Sequence, residues 1–149
     1  MTNYNDLYTQ IEQLIDDKCD NAGNIANIIS AIYHNISNLN WVGVYLRKKD
    51  VLHLNQFNGE VACTRITLPN GVCGKAAATK TIQVVDDVHL FEGHIACDSK
   101  SNSELVIPLF KNNIVFGVLD IDSIVKYRFD EELIEFFVKV AKILEKLFC

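Results

Sequence analysis

The chain has 149 residues, of which 49% are hydrophobic and 22% are charged, and its formal net charge is −5. This length fits one domain spanning residues 1–149, and the apolar content excludes a disordered chain. The acidic balance argues against nucleic acid or an anionic membrane surface as a partner. Because the sequence has neither a membrane-length apolar run nor a signal peptide, we expect a cytoplasmic protein in a reducing compartment.

The first predicted elements are two helices within residues 3–38. Apolar residues recur at helical spacing through the first of them. Asn24 is then a candidate N-cap for the second helix. Together these patterns predict a helical N-terminal segment ahead of any strand.

The middle of the chain changes to the spacing of strands. Residues 41–46 and 51–57 predict a hairpin with one buried face. A third strand is expected at 63–66, a short Ala-rich helix at 72–80 and a short strand at 82–85. Residues 86–103 have no regular period, and a loop of that length is often functional.

Two more strands and a helix complete the predicted fold. Strands at 104–110 and 114–121 form a hairpin, and a helix at about 130–148 begins after Asp130 as its N-cap. The order predicts an α+β domain: a mainly antiparallel sheet, with its long loop, over residues 41–123, and terminal helices packed on one face.

The five cysteines are notable for a cytoplasmic chain, where structural disulfides are rare. Cys63, Cys73 and Cys97 lack the paired CxxC spacing of a zinc ribbon. Cys73 lies between glycines at a helix start, where the helix N-terminus favours a thiolate. Cys97 lies in the polar loop beside His94 and Asp98, which suggests a reactive thiol. The alternative for each cysteine is a small buried hydrophobe, and Cys19 and Cys149 are interpreted as incidental.

Carboxylates and aromatic residues suggest a pocket on the sheet. Asp120 and Asp122 share one face of a strand, and hairpin pairing would bring Glu104 close to them. They indicate either a binding pocket or solvent-facing caps. Trp41 and Tyr45 also share a strand face, as core residues or as the wall of a ligand site. His89 and His94 bracket the loop and are interpreted as local hydrogen-bonding groups.

Six segments together resemble one known family. They are NWVGVY at 40–45, GVCG at 71–74, DVH at 87–89, GHIACD at 93–98, SNSE at 101–104 and GVLDIDS at 117–123. With all three cysteines at the family's spacing, the sequence resembles the free methionine-(R)-sulfoxide reductases, a branch of the GAF-domain superfamily. The resemblance covers nearly the whole chain and implies a single GAF-like domain.

The resemblance implies a thiol-dependent reduction of free L-methionine (R)-sulfoxide to methionine. Cys97 matches the family's nucleophile, which becomes a sulfenic acid and then forms a disulfide. Cys63 matches the usual resolving residue. Cys73 matches the third cysteine, which resolves the intermediate or relays the disulfide to thioredoxin. The implied partners are the free substrate, thioredoxin and a second copy in a homodimer, with no metal or organic cofactor.

The resemblance also assigns the pocket. Glu104, Asp120 and Asp122 match the acidic residues that polarise the sulfoxide and hold the substrate ammonium, without a division of roles. Trp41 and Tyr45 match the aromatic wall for the methyl-thio end. The rival hypotheses are a non-catalytic GAF sensor of a small molecule and a zinc site of the three cysteines with His94.

Overall fold

The core of the fold is a six-stranded antiparallel sheet. The computed structural model describes residues 2–95, 97 and 99–148. The strands are β1 (Leu39–Lys48), β2 (Val51–Gly59), β3 (Arg65–Thr67), β4 (Gln83–Val85), β5 (Ser103–Lys111) and β6 (Ile114–Ser123). Their order across the sheet is β3-β2-β1-β6-β5-β4. The long central pair β1 and β6 therefore has its neighbours on both sides, and the short β3 and β4 lie at the edges.

Tight turns close both long hairpins. Asn112 and Asn113 join β5 to β6 with φ of 52° and 65°. Consecutive left-handed residues form the turns that match strand twist, and asparagine tolerates this conformation better than most residues. The turn sets the β5–β6 register, in which Glu104 lies opposite Asp122. Both predicted hairpins are confirmed.

Four helices flank the sheet: α1 (Tyr4–Leu14), α2 (Asn21–Asn35), α3 (Gly71–Thr79) and α4 (Glu131–Leu147). The predicted cap of α4 is confirmed, because the Asp130 side chain accepts a hydrogen bond from the Leu133 N–H. The predicted cap of α2 is wrong. Asn24 lies inside that helix and is buried, and its side chain bonds the backbone N–H and C=O of Asp16. It joins α2 to the turn after α1.

The two faces of the sheet are covered differently. A large apolar cluster joins α1, α2 and α4 to one face, as the sequence predicts for the terminal helices. A second cluster joins α3 to the opposite face, around Trp41 and Val106. No helix within the described ranges is both long and apolar enough to span a membrane.

The long loop between β4 and β5 is irregular, as expected, apart from one short 3-10 helix at Val88–Leu90. It lies on the α3 side, where the Ile95 side chain would come within 3.1 Å of a Cβ placed on Gly71. The His89 ring hydrogen-bonds the Asn102 side chain at 3.0 Å, which agrees with its interpretation as a local polar group. The third strand begins later than predicted, since Cys63 precedes β3 rather than opening it.

Candidate active site

A disulfide joins two of the three middle cysteines. Cys63 and Cys97 are bonded, with Cα atoms 5.5 Å apart across 34 residues of sequence. Both are half-buried. The pairing implied by the family resemblance is thus present, and the structure is that of an oxidised protein. The bond also ties the long loop to the segment between β2 and β3, so reduction would free the loop at this point.

Three carboxyl groups come together on the α3 side of the hairpin. Glu104 pairs with Asp122, and Asp120 pairs with Val106 two positions along. Since side chains alternate between faces, this register places all three acids on one face, as predicted. Glu104 and Asp120 are only 6% and 5% exposed. The hairpin therefore concentrates acidic groups in a place shielded from water.

Burial changes the protonation of these acids. It raises the pKa of Glu104 to about 8, with a further contribution from the negative charge of Asp122. Burial and the charge of Glu104 raise the pKa of Asp120 well above its ordinary value. Within residues 2–95, 97 and 99–148, no lysine or arginine lines the cleft. No positive side chain there offsets the rise in these pKa values. Glu104 and Asp120 thus hold protons at neutral pH that exposed carboxyls would lose.

One oxygen of Asp120 lacks a partner. Asp120 Oδ1 is buried and has no hydrogen bond within the part of the chain that the structure describes. A buried polar atom left this way costs free energy, and native proteins rarely retain one without a reason. Because Asp120 lines the cleft, a bound molecule with an N–H or O–H group could satisfy this oxygen.

Cys73 corrects the prediction of a reactive thiolate at a helix start. It is buried in the first turn of α3, and its Sγ lies 4.0 Å from Glu104 Oε2. Burial, followed by the charges of Asp120 and Glu104, raises the pKa of this thiol well above its ordinary value. Loss of hydration and the acidic neighbours therefore outweigh the helix N-terminus, and Cys73 is held as a neutral thiol.

Aromatic rings form the opposite wall. Trp41 stacks on Tyr45 with ring centroids 5.8 Å apart, and on Phe57 at 5.3 Å. The Tyr45 hydroxyl donates to the Cys63 carbonyl at 2.9 Å, and Trp41 Nε1 donates to the Glu60 carbonyl at 3.1 Å. These bonds fix the apolar wall to the segment that carries Cys63. The sequence did not predict a role for Phe57 in this wall, because it is one more apolar residue of an alternating strand.

His94 belongs to the site, although the sequence led to its interpretation as a local hydrogen-bonding group. Its Nε2 lies 3.6 Å from Glu104 Oε1. Burial lowers the pKa of His94, against the opposing influence of Asp120. A neutral imidazole beside a protonated carboxyl can act as a hydrogen-bond donor or acceptor toward it. The loop has no period, so sequence alone could not place His94 against β5.

These groups surround one cleft that is partly open to solvent. Its lining combines Cys97, the aromatic pair, the three acids, Cys73 and His94. Seven of the eight site residues expected from the sequence line this cleft. The eighth, Cys63, is bonded to Cys97 at its edge. Since Cys63 and Cys97 are bonded to each other, the three-cysteine zinc hypothesis is not supported in this form. Asp98 and Cys149 lie outside the described residues.

One side of this cleft can thus accept a cation and supply a proton, the other can contact an apolar group, and a redox-active sulfur pair lies beside both. Comparisons with known proteins agree with this chemistry. A family model described as GAF domain matches residues 22–146. Two curated relatives are named free methionine-R-sulfoxide reductase. The Escherichia coli protein is 44% identical over 87% of this chain and 78% of its own length, and the Saccharomyces cerevisiae protein is 39% identical over 94% and 82%.

A solved structure gives the same result. The X-ray structure of the Neisseria meningitidis free methionine-R-sulfoxide reductase in complex with its substrate superposes with a TM-score of 0.91. It is 42% identical and covers 97% of this chain and 87% of its own. The chain belongs to the GAF domain family, within the branch of the free methionine-R-sulfoxide reductases.

Proposed function

We propose that the protein reduces free L-methionine (R)-sulfoxide to L-methionine and uses its own thiols as the source of electrons. The observation that carries this proposal is the Cys63–Cys97 disulfide next to a cleft with an aromatic wall and buried acids. A sensing pocket needs an aromatic wall and polar groups, but it has no need of a disulfide between two segments that line or flank it.

Cys97 is the proposed nucleophile. Its thiolate attacks the sulfoxide sulfur, the S–O bond breaks, and methionine leaves while Cys97 becomes a sulfenic acid. The Cys63 thiol then displaces water from the sulfenic acid and forms the disulfide. The sulfoxide gains two electrons from the two thiols, and its oxygen leaves as water. Support for this order comes from Cys97 lining the cleft.

Glu104 is the proposed proton donor. The sulfoxide oxygen must be protonated as its bond to sulfur breaks, and an acid whose pKa lies near the working pH does this best. A pKa of about 8 keeps Glu104 protonated at neutral pH. His94, 3.6 Å away, can return a proton to Glu104 from solvent after each turnover.

Asp120 and Asp122 are proposed to hold the substrate ammonium. The unpartnered Oδ1 of Asp120 can accept an N–H bond. A bound ammonium would also favour the ionised form of these carboxyls, because it brings a positive charge close to them. No lysine or arginine from the described residues lines the cleft to supply that charge. The recognition of a free ammonium would select the amino acid over a methionine residue within a chain.

Trp41 and Tyr45 are proposed to contact the methyl-thio end of the substrate, since flat aromatic rings bury such groups without unpaired polar atoms. Cys73, a neutral buried thiol 4.0 Å from Glu104, is proposed as the third cysteine that resolves or relays the disulfide. Thioredoxin is the proposed reductant, in a homodimeric cytoplasmic enzyme. The proposed chemistry uses no metal or organic cofactor.

The test is turnover of the separate R and S epimers of free methionine sulfoxide with dithiothreitol as reductant. We expect reduction of the R epimer alone. Cys97→Ser should lose it entirely, whereas Cys19→Ser, at an exposed thiol remote in sequence from the cleft, should keep it. If neither epimer is reduced by the wild-type protein, the reductase proposal fails and the non-catalytic sensor becomes the better hypothesis.

A further inference from the structure

Four side chains of the kinds that bind transition metals face one another in the cleft. The Sγ atom of Cys73 and one carboxyl oxygen from each of Glu104 and Asp120 all lie within 4.8 Å of one another. His94 adds a ring nitrogen, since its Nε2 lies 3.6 Å from Glu104 Oε1. These groups come from α3, β5, β6 and the long loop, so the fold brings them together. We call the four residues the cleft donor set.

The spacing of the cleft donor set suits a four-coordinate cation. Zinc bonds are about 2.3 Å long to sulfur and about 2.0 Å to nitrogen or oxygen, so tetrahedral ligands lie about 3.5 Å apart. Cys73 Sγ is 4.0 Å from Glu104 Oε2, close to this separation, and the His94 contact at 3.6 Å matches it. Small rotations of these side chains would therefore complete a tetrahedral site.

One atom of this set points to a ligand independently of the spacing. Asp120 is 5% exposed, and its Oδ1 has no hydrogen-bond partner among the described residues. No lysine or arginine from that part of the chain lines the cleft around it. A cation would both bond this oxygen and supply the positive charge that the cleft lacks. Because the cleft is partly open, a hydrated ion has a route to it.

We propose that the cleft donor set binds a divalent cation of the zinc class. A sulfur and an imidazole ligand select zinc or cobalt over magnesium or calcium, which prefer oxygen ligands alone. Coordination replaces the proton of Cys73 with the metal ion, since a coordinating thiol is deprotonated. This donor set differs from a three-cysteine site, because it uses neither sulfur of the disulfide.

The cation would act as an inhibitor and not as a cofactor. This consequence rests on the proposed function, which places the substrate ammonium at Asp120 and the sulfoxide oxygen at Glu104. An ion held by both carboxyls occupies the same space as the substrate. It also withholds the Cys73 thiol from any exchange with the disulfide.

The test uses the oxidised full-length protein and cobalt(II), whose absorption spectrum reports its ligands. The sequence has five cysteines and the disulfide holds two, so Cys19→Ser combined with Cys149→Ser leaves Cys73 as the remaining thiol. In this double variant we expect one bound cobalt ion per chain, with a thiolate-to-cobalt charge-transfer band and the visible bands of a tetrahedral site. Zinc should displace the cobalt, whereas magnesium should not.

Two carboxyl variants of this protein show which side chains hold the ion. Asp120→Asn should weaken cobalt binding at least about tenfold, since loss of even an outer partner of a metal ligand costs about that much. Asp122→Asn is the matched control, because it removes the same charge from the same face but outside the donor set, and it should weaken binding much less. The proposal is overturned if cobalt gives no thiolate band, or if the two asparagine variants bind cobalt equally.

Free methionine (R)-sulfoxide separates this proposal from the proposed function. Excess sulfoxide should lower the apparent affinity for cobalt, because both bind at Asp120 and Glu104. If the cobalt bands persist unchanged in saturating sulfoxide, inhibition by exclusion is overturned. If the bands form in a protein that reduces neither epimer, the metal site is supported and the proposed function fails.

Discussion

The two faces of the sheet are built from the same strands but serve different ends. In β6, Leu119 and Ile121 point to the helix side and are fully buried, while Asp120 and Asp122 alternate with them on the α3 side. One face buries aliphatic groups among α1, α2 and α4. The other buries carboxyls and a thiol beside an open cleft. A strand's two-residue period thus lets stability and chemistry be varied independently.

Burial on the two faces of the sheet affects the stability of the folded state in opposite directions. Burial of an aliphatic group stabilises the folded state, whereas burial of a carboxyl that must take up a proton does not. The raised pKa values of Glu104 and Asp120 mean that folding takes up protons at neutral pH. We therefore expect substitutions on the helix face to change stability and substitutions on the cleft face to change activity, with opposite effects on stability at neighbouring positions.

The largest expected effect is on the cleft face. Glu104→Gln keeps the shape of the side chain but removes the proton, so kcat should fall about 10²- to 10⁴-fold on the R epimer. In the wild-type protein, kcat/KM should fall as pH rises through about 8, because the protonated donor is lost there. Steady-state rates between pH 6 and 10 measure both.

The variant's own pH profile is the control. In Glu104→Gln the decline above pH 8 should be absent from the residual activity, and urea unfolding should show no loss of stability. A variant that retains wild-type kcat, or a wild-type profile that is flat through pH 8, would assign proton donation to another group.

Leu119→Ala should have the largest effect on the helix face. Removal of a fully buried leucine leaves a cavity and should lower the free energy of unfolding by about 2–5 kcal/mol. Urea titration measures the change. Activity per folded molecule should be retained at low temperature, and a large specific loss of activity would show that the two faces are not independent.

Asp120→Asn, one residue along, should change stability in the opposite direction. The folded-state pKa of Asp120 is raised, so its contribution to stability is present below the unfolded value of 3.8 and is lost as pH rises. Asparagine needs no proton. The variant should therefore be more stable than the wild type at pH 7, where the wild-type carboxyl must take up a proton on folding.

The gap between Asp120→Asn and wild type should close below pH 3.8, where both the folded and the unfolded wild-type chains are protonated. Thermal unfolding at several pH values tests this, with KM for the sulfoxide expected to rise because an ammonium partner is weakened. Equal stability at pH 7 would show that Asp120 is ionised in the folded protein.

Periodicity in the sequence was sufficient to predict the sheet and its two faces. The alternation in 114–121 and the asparagine turn determine the β5–β6 register, and the register alone brings Glu104 to Asp120 and Asp122. Local pattern failed at Asn24, where a cap-forming residue instead bonds Asp16 in the turn after α1. It failed again at Cys73, whose thiol responds to burial and to carboxyls from other strands.

The loop was the least predictable part of the site. His94 reaches Glu104 through the path of an irregular segment, which no spacing rule describes. The Cys63–Cys97 pairing likewise came from family resemblance rather than from spacing. Residues on regular strands could be assigned to a face from their position. Residues on the loop needed the structure, because their placement depends on contacts distant in sequence.

The smallest expected effect lies at the edge of the helix face. Asp130→Ala removes the side-chain acceptor for the Leu133 N–H at the start of α4, which should lower the free energy of unfolding by about 1 kcal/mol. Asp130→Asn is the matched control and should lose less, because its side-chain oxygen can still accept the bond. Urea titration of both variants measures the difference. Turnover of the R epimer should be unchanged in either, since α4 packs on the face opposite the cleft. A loss of turnover in Asp130→Ala would show that helix packing is transmitted through β5 and β6 to the acids.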